Sequence, residues 1–207
     1  MIEGIKITKI FGSGGLNPLD ISVKKGEMVG LCGASGCGKS TLLNILTGML
    51  RPDSGKVIVN GSDISGLSEK KRTYLRGNVI GYVMQKNSLL PELTIMQNIL
   101  FPSYTAKKSA DEKKAQEIAE RLAIGGQLLS YPSQLSGGEY RRAMLARILL
   151  LNTPIIAVDE PTSNLDPESA EIVRSMLKEA NRNGVTVITA SHDPLLLECT
   201  DRVVKVG

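Results

Sequence analysis

Apolar and polar residues follow three rhythms along this 207-residue chain. Near-alternation at Ile5, Ile7 and Ile10, and again at Leu19, Ile21 and Val23, predicts two half-buried antiparallel strands. Phe11-Gly12-Ser13-Gly14-Gly15 reads as the loop between them, and Lys25-Gly26-Glu27 as the next turn. The second rhythm is the short apolar run: MVGLC at 28–32, KVIVN at 56–60, VIGYVMQ at 79–85, IIAV at 155–158 and VTVITA at 185–190. Such runs suit strands buried on both faces of a parallel sheet.

Helical spacing is the third. Apolar stripes run through Leu42, Ile45, Leu46 and Met49, then Ala115, Ile118, Ala119 and Leu122. Two more run through Met144, Leu145, Ile148 and Leu149, and through Ile172, Val173, Met176, Leu177 and Ala180. Start signals precede the last three. Ser109-x-x-Glu112 and Ser136-x-x-Glu139 read as capping boxes, and Asp166-Pro167 as an N-cap followed by proline at the first helical position. Gly125-Gly126, Thr153-Pro154 and Gly184 read as stops.

Strands alternating with helices predict an α/β fold with a mostly parallel sheet. The first two strands predict an N-terminal antiparallel β-subdomain. Residues 87–104, a mixed loop and helix with Pro91 and Pro102, open an inserted helical subdomain. The expected division is a core at about 1–85 and 153–207 with a helical segment at about 86–152.

The stretch Gly33-Ala34-Ser35-Gly36-Cys37-Gly38-Lys39-Ser40-Thr41 fits G-x-x-x-x-G-K-[ST], between a predicted strand and a predicted helix. A helix N-terminus offers free N–H groups to an anion, and the glycines let backbone wrap phosphates. Lys39 is expected to reach the β- and γ-phosphates and the Ser40 hydroxyl to ligate Mg²⁺. These features predict a P-loop NTPase core. A second signal agrees with it. The apolar strand 155–158 ends in Asp159 and Glu160, which puts carboxylates at the C-terminal edge of the sheet. Asp159 can hold Mg²⁺, and Glu160 can orient and deprotonate an attacking water.

Composition narrows the picture without redirecting it. Net charge is +4, and the densest basic run, Lys70-Lys71-Arg72, reads as a solvated face. No basic stripe with interleaved aromatics points to nucleic acid. The three cysteines (Cys32, Cys37, Cys199) lack metal-ligand spacing and read as reduced thiols. No stretch approaches the length of a membrane span, and the N-terminus lacks a signal-peptide pattern.

Taken in order, these motifs resemble those of the ATP-binding cassette (ABC) ATPases. Leu135-Ser136-Gly137-Gly138-Glu139 matches the family's LSGGQ/LSGGE signature, the most specific of them. Gln85 falls at the Q-loop glutamine, Ser163-Asn164-Leu165-Asp166 at the D-loop, and His192 at the switch histidine. Phe11 falls where the family stacks an aromatic ring on adenine. The resemblance implies that Ser136, Gly137 and Gly138 meet the γ-phosphate held by a second copy of the chain. It implies that Gln85 touches Mg²⁺ or the water, that His192 contacts the γ-phosphate, and that Asp166 lies at the dimer interface. Each position also has a plainer reading: a strand-end polar residue for Gln85, a structural histidine for His192, an N-cap for Asp166, a core residue for Phe11.

Phrases such as SGCGKSTLLN at 35–44 and SLLPELT at 88–94 resemble the macrolide-export and lipoprotein-release subgroup. That implies an ATPase subunit in the cytoplasm, peripheral at the inner face of the membrane, driving permease subunits on another chain. The alternative is an ABC-type ATPase driving cell division, cell-wall remodelling or cluster assembly. Two departures stand out: the segment from Phe11 to Gly26 is shorter than usual, and Tyr140 stands where glutamine is usual. Tyr140 is expected to be peripheral to the phosphates.

Overall fold

In the computed structural model, which describes residues 1–12, 14–85, 88–106 and 108–207, the chain folds around two sheets. Ser13 of the expected hairpin loop, Lys86, at the expected start of the helical segment, and Asn87 lie outside the described residues.

The antiparallel sheet contains β1 (Ile2–Phe11), β2 (Gly14–Val23), β4 (Ser54–Val59) and β5 (Ser62–Asp63), in the order β2-β1-β4-β5. The hairpin is tighter than expected, because Phe11 and Gly14 are already paired. The alternation of Ile5, Ile7 and Ile10 does not hold as an inward face. Ile7 is fully buried, whereas Ile5 is 43% and Ile10 is 64% exposed. The reason is a bulge: Lys6 adopts φ +48, and the pairing with β2 shifts between Gly4 and Ile7. An extra residue there exchanges the inward and outward sets, so Ile2 and Ile7 point to the core instead.

The second sheet is parallel throughout. It contains β3 (Met28–Cys32), β6 (Ile80–Val83), β7 (Ile155–Asp159), β8 (Thr186–Ala190) and β9 (Arg202–Lys205), ordered β6-β7-β8-β3-β9. Both faces are covered, and successive residues of one strand feed opposite cores. Ile155 and Ala157 pack with α1 (Lys39–Leu46) and the antiparallel sheet, while Ile156 and Val158 pack with the helices of the other face. Those helices are α3 (Ile95–Thr105), α4 (Glu112–Arg121), α5 (Gly137–Leu151) and α6 (Pro167–Arg182), with the short α7 (Pro194–Glu198) after β8.

Helix starts follow local chemistry with one correction. Ser136 and Asp166 cap α5 and α6 as expected, each accepting a backbone N–H three residues on. The Ser109 capping box is absent, because the Asp111 carboxylate caps α4 by accepting from Lys114 N at 2.9 Å. Asp caps as well as Ser does. The chain before it is held non-helical by Lys108, whose backbone N–H reaches Ser103 O and whose ammonium reaches Leu151 O. Met49, expected on the core stripe of α1, is 41% exposed, because α1 ends at Leu46 and Gly48 turns the chain at φ +71.

The basic run at 70–72 lies in a helix that no apolar stripe announced, α2 (Glu69–Asn78), anchored by the buried Leu75 and by Arg76 bound to Gly48 O and Glu69. Lys70 and Lys71 are exposed as expected, but Arg72 is half-buried.

The seam between α5 and β6 is close-packed at Gly81. A Cβ there would lie 2.4 Å from Ile148 Cγ2 and 2.9 Å from Thr153 Oγ1, the atom that accepts the Gly81 N–H. Gly81→Ala is therefore expected to destabilise the fold by about 1–3 kcal/mol through overpacking. A lowered urea midpoint at unchanged slope would show it, and an unchanged midpoint would mean the seam yields freely.

Candidate functional site

Four neighbouring parallel strands end at one edge, and each carries a candidate residue at or just beyond its C-terminus. β3 runs into the Gly33–Thr41 loop, β6 into Gln85, β7 into Asp159 and Glu160, and β8 into His192. This is where open parallel sheets place ligands, at the carboxyl ends beside a reversal of strand order. A cavity of about 470 Å³ opens there. Ser35, Gly36, Gly38, Lys39, Ser40 and Thr41 line one side, and Gln85, Glu160 and His192 the other. Residues as far apart in sequence as Ser35 and His192 thus meet because strand order differs from chain order.

The loop's shape depends on left-handed glycines. Gly38 precedes α1 at φ +103, and its carbonyl accepts the Leu42 N–H at 2.8 Å. Gly33, at φ +152, passes so close to the C-terminal strand that a Cβ would lie 2.3 Å from Val206 O. Lys39 is buried at 7% exposure, and its ammonium donates to Gly33 O at 2.8 Å and Ala34 O at 3.1 Å. Cys37 is not among the residues that line the cavity, and its Sγ lies 4.0 Å from Lys39 Nζ.

Opposite the loop, Glu160 departs from the β-region at φ +49, an uncommon value for a residue with a long side chain. Its N–H is fixed to Ala190 O at 2.9 Å, and its carbonyl accepts the Ser163 hydroxyl at 3.0 Å. The turn aims the carboxylate at His192: Oε1 lies 3.5 Å from Nε2, and Oε2 accepts the His192 N–H at 3.4 Å. His192 is therefore not a core histidine; its side chain is 55% exposed.

Asp159 lies beneath the cavity, 2% exposed. Burial pushes its carboxyl above the usual carboxylate range, and the Ser40 hydroxyl, the Arg141 guanidinium and the Lys39 ammonium act against that rise. Its Oδ1 is buried without a hydrogen-bond partner. An orphaned carboxylate oxygen beside a hydroxyl and a phosphate-type loop fits Mg²⁺, which takes one or two protein groups plus phosphate oxygens and waters. Among the described residues no three His, Cys, Asp or Glu side chains converge, as a protein-only metal cage would require.

The remaining candidates lie elsewhere. Ser136 and Glu139 form the capping box of α5, and Gly137 lines a separate cavity of about 550 Å³ with Tyr140, Arg141, Ser163 and Asn164. Gly138 packs near Arg142 and Ser169, and Asp166 caps α6; neither lines the first cavity. Phe11 stands at the hairpin tip, 51% exposed, with the Lys9 ammonium 5.8 Å from its ring centroid. Tyr140 is tied to the segment after Gln85, its hydroxyl accepting the Leu89 N–H at 2.9 Å.

Thr162, Ser163 and Asp193 also line the cavity; of these only Ser163 falls in a sequence motif, and Arg141 falls in none. Asp193 is tied down: although burial works to raise its pKa, Arg174 at 2.8 Å, Thr162 and the Leu195 N–H hold it low. Its place next to His192 was the available signal. Nothing local marks Arg141.

The family model described as ABC transporter matches residues 16–163. The chain belongs to the ABC transporter family. ATP hydrolysis comes with that membership. An ABC transporter ATP-binding protein of Methanocaldococcus jannaschii is 38% identical over all of this chain and 95% of its own length. A lipoprotein-releasing system ATP-binding protein, LolD, of Bordetella pertussis is 40% identical over 90% of this chain and 82% of its own. The macrolide export ATP-binding/permease protein MacB of Bartonella quintana is 38% identical over 93% of this chain, which spans 29% of that larger protein. A dimeric post-hydrolysis structure of the ATP-binding cassette MJ0796, bound to ADP and Pi, superposes with TM-score 0.94 at 31% identity, covering 100% of this chain and 94% of that one.

Proposed function

We propose that this chain is the ATP-hydrolysing subunit of an ABC system, that two copies share two ATP molecules head to tail, and that they drive integral membrane subunits on another chain. One observation carries the reading. The P-loop, Gln85, Glu160 and His192 meet in one cavity, while the Ser136–Gly138 end of α5 opens elsewhere on the same chain. That helix end presents a capped N-terminus and two glycines, suited to an anion supplied from outside. Each copy thus offers half of a site and the complementary half of its neighbour's.

Within the site, the loop amides and Lys39 bind the phosphates, and Phe11 stacks on the base. Glu160, held by its backbone turn, takes the proton of the attacking water, and His192 orients the γ-phosphate beside it. Ser40, Gln85 and Asp159 would hold Mg²⁺, which would neutralise phosphate charge. Asp166 lies at the junction of the two copies. The division into a core of about 1–85 and 153–207 and a helical segment of about 86–152 belongs to the same proposal, with the helical segment facing the membrane subunits. The names of the LolD and MacB relatives support such a partner, and no helix among the described residues is long and apolar enough to cross a membrane.

Mixing two inactive variants tests the shared site. Lys39→Ala disables the P-loop half. Gly137→Asp places a carboxylate where a Cβ meets nothing within 4 Å, so the fold is kept while the γ-phosphate is repelled. At ATP concentrations well below what Lys39→Ala needs for binding, neither should hydrolyse ATP alone. Random pairing makes half the dimers mixed, each with one whole site, so the mixture should recover up to about a quarter of the wild-type rate. A mixture as inactive as its components would rule out the head-to-tail arrangement.

A further inference from the structure

We propose that Arg141 is a positioning residue for hydrolysis, tying the helix opened by Ser136 to the two segments that carry Gln85 and Glu160. The inference rests on the roles proposed above for those two residues. Arg141 lies in the second turn of α5, and its guanidinium leaves that helix for the strand ends. Nη1 donates to Gln85 O at 3.2 Å and, more loosely, to Met84 O at 3.5 Å. Nη2 donates to Ser163 Oγ at 3.4 Å. Ser163 Oγ in turn donates to Glu160 O at 3.0 Å.

This chain of contacts ends on the residue with most need of it. Glu160 keeps φ +49, a conformation that persists where its surroundings over-determine it. Its N–H is fixed by β8 through Ala190 O. Its carbonyl is fixed by the Ser163 turn, through the backbone N–H at 3.3 Å and the hydroxyl. Arg141 orders that hydroxyl and simultaneously fixes the backbone at Gln85. A planar guanidinium can span two acceptors on different segments, whereas an ammonium acts as a point charge.

The neighbouring arginine shows the contrast. Arg142 is 8% exposed and bonds Ser169 in the first turn of α6, joining two helices of the core. Arg141 is only half-buried, and its hydrogen-bond partners among the described residues lie on segments leaving a parallel strand toward the cavity. The same helix also grips the chain beyond residues 86 and 87, where Arg147 donates to Ser88 O at 2.8 Å and Tyr140 accepts the Leu89 N–H. A shift of α5 relative to the sheet therefore moves Gln85 and loosens Glu160 together, which links the phosphate-facing end of α5 to the base within one chain.

Steady-state kinetics of Arg141→Ala, Ser163→Ala and the double variant test this. Arg141→Ala should lower kcat about tenfold, while KM for ATP and the affinity for ADP stay within about twofold. The double variant should be no slower than Arg141→Ala, because both changes break the same chain of contacts. A wild-type kcat, a loss confined to KM, or losses that multiply in the double variant would each overturn the proposal. Should Arg141→Ala not yield folded protein, Arg141→Lys carries the same test, since it keeps the charge and loses the fork. Glu160→Gln assayed alongside separates the two levels. Wild-type turnover there overturns the role of Glu160, whereas an inactive Glu160→Gln beside a fully active Arg141→Ala overturns Arg141 alone.

Discussion

Glu160→Gln is expected to suppress ATP turnover by about 10²–10⁴, the usual worth of a positioned base, while leaving nucleotide binding intact. The amide keeps the size of the carboxylate, and the contacts that fix the Glu160 backbone at φ +49 involve none of its own side-chain atoms, so the turn should survive. The side chain would still meet His192 at about the present 3.5 Å. What is lost is the acceptor for the water's proton. With hydrolysis blocked, the closed pair of chains should accumulate, and sizing chromatography with ATP and Mg²⁺ should show a dimer that ADP does not support. The trapped dimer is also the right bait for the membrane subunit: ATP-dependent, ADP-released recovery of one integral membrane protein from solubilised native membranes is the expected result. Unchanged turnover would remove Glu160 as the base.

Lys39→Ala should weaken ATP binding by roughly ten- to hundredfold, from the loss of charge-assisted contacts worth about 1.5–3 kcal/mol. A second effect adds to the first. The Lys39 ammonium also holds Gly33 O and Ala34 O, so its removal frees two loop carbonyls next to the phosphate position. Carbonyls that lose a donor cation repel an anion more, and the loop loses its internal brace. Titration with a fluorescent ATP analogue would measure the affinity, and a thermal melt would show whether the fold is kept. An affinity equal to wild type would show that the loop amides alone bind the nucleotide, and would also undermine the mixing experiment above.

The elements that were legible beforehand are those whose causes are local. The run at 28–32 becomes a strand with those bounds because five apolar residues between a turn and a glycine loop have little else to do. Ser136 and Asp166 cap their helices because the required acceptors and donors lie within three residues of each other. Illegible elements have distant causes. α2 carries one buried residue, Leu75, so periodicity could not reveal it, and its anchors lie at Gly48. The alternation at Ile5, Ile7 and Ile10 failed at a bulge set by pairing with β2 and by Gly55, where a Cβ would lie 2.4 Å from Lys6 O.

The same division runs through the site. By itself the sequence determined the chemistry: a glycine loop with Lys39 and Ser40, a strand ending in Asp159 and Glu160, a capped helix with two glycines at its start. Periodicity and short-range hydrogen bonding suffice for these, since each is built within a few residues. Tertiary structure alone decided that β6, β7, β8 and β3 lie side by side, which brings Gln85, Glu160 and His192 to one cavity. It also decided that Asp159 would be buried with an unpartnered oxygen, and that Arg141 would bridge Gln85 to Ser163. Strand order and side-chain reach depend on packing between segments far apart in the chain, and no window of neighbouring residues encodes them.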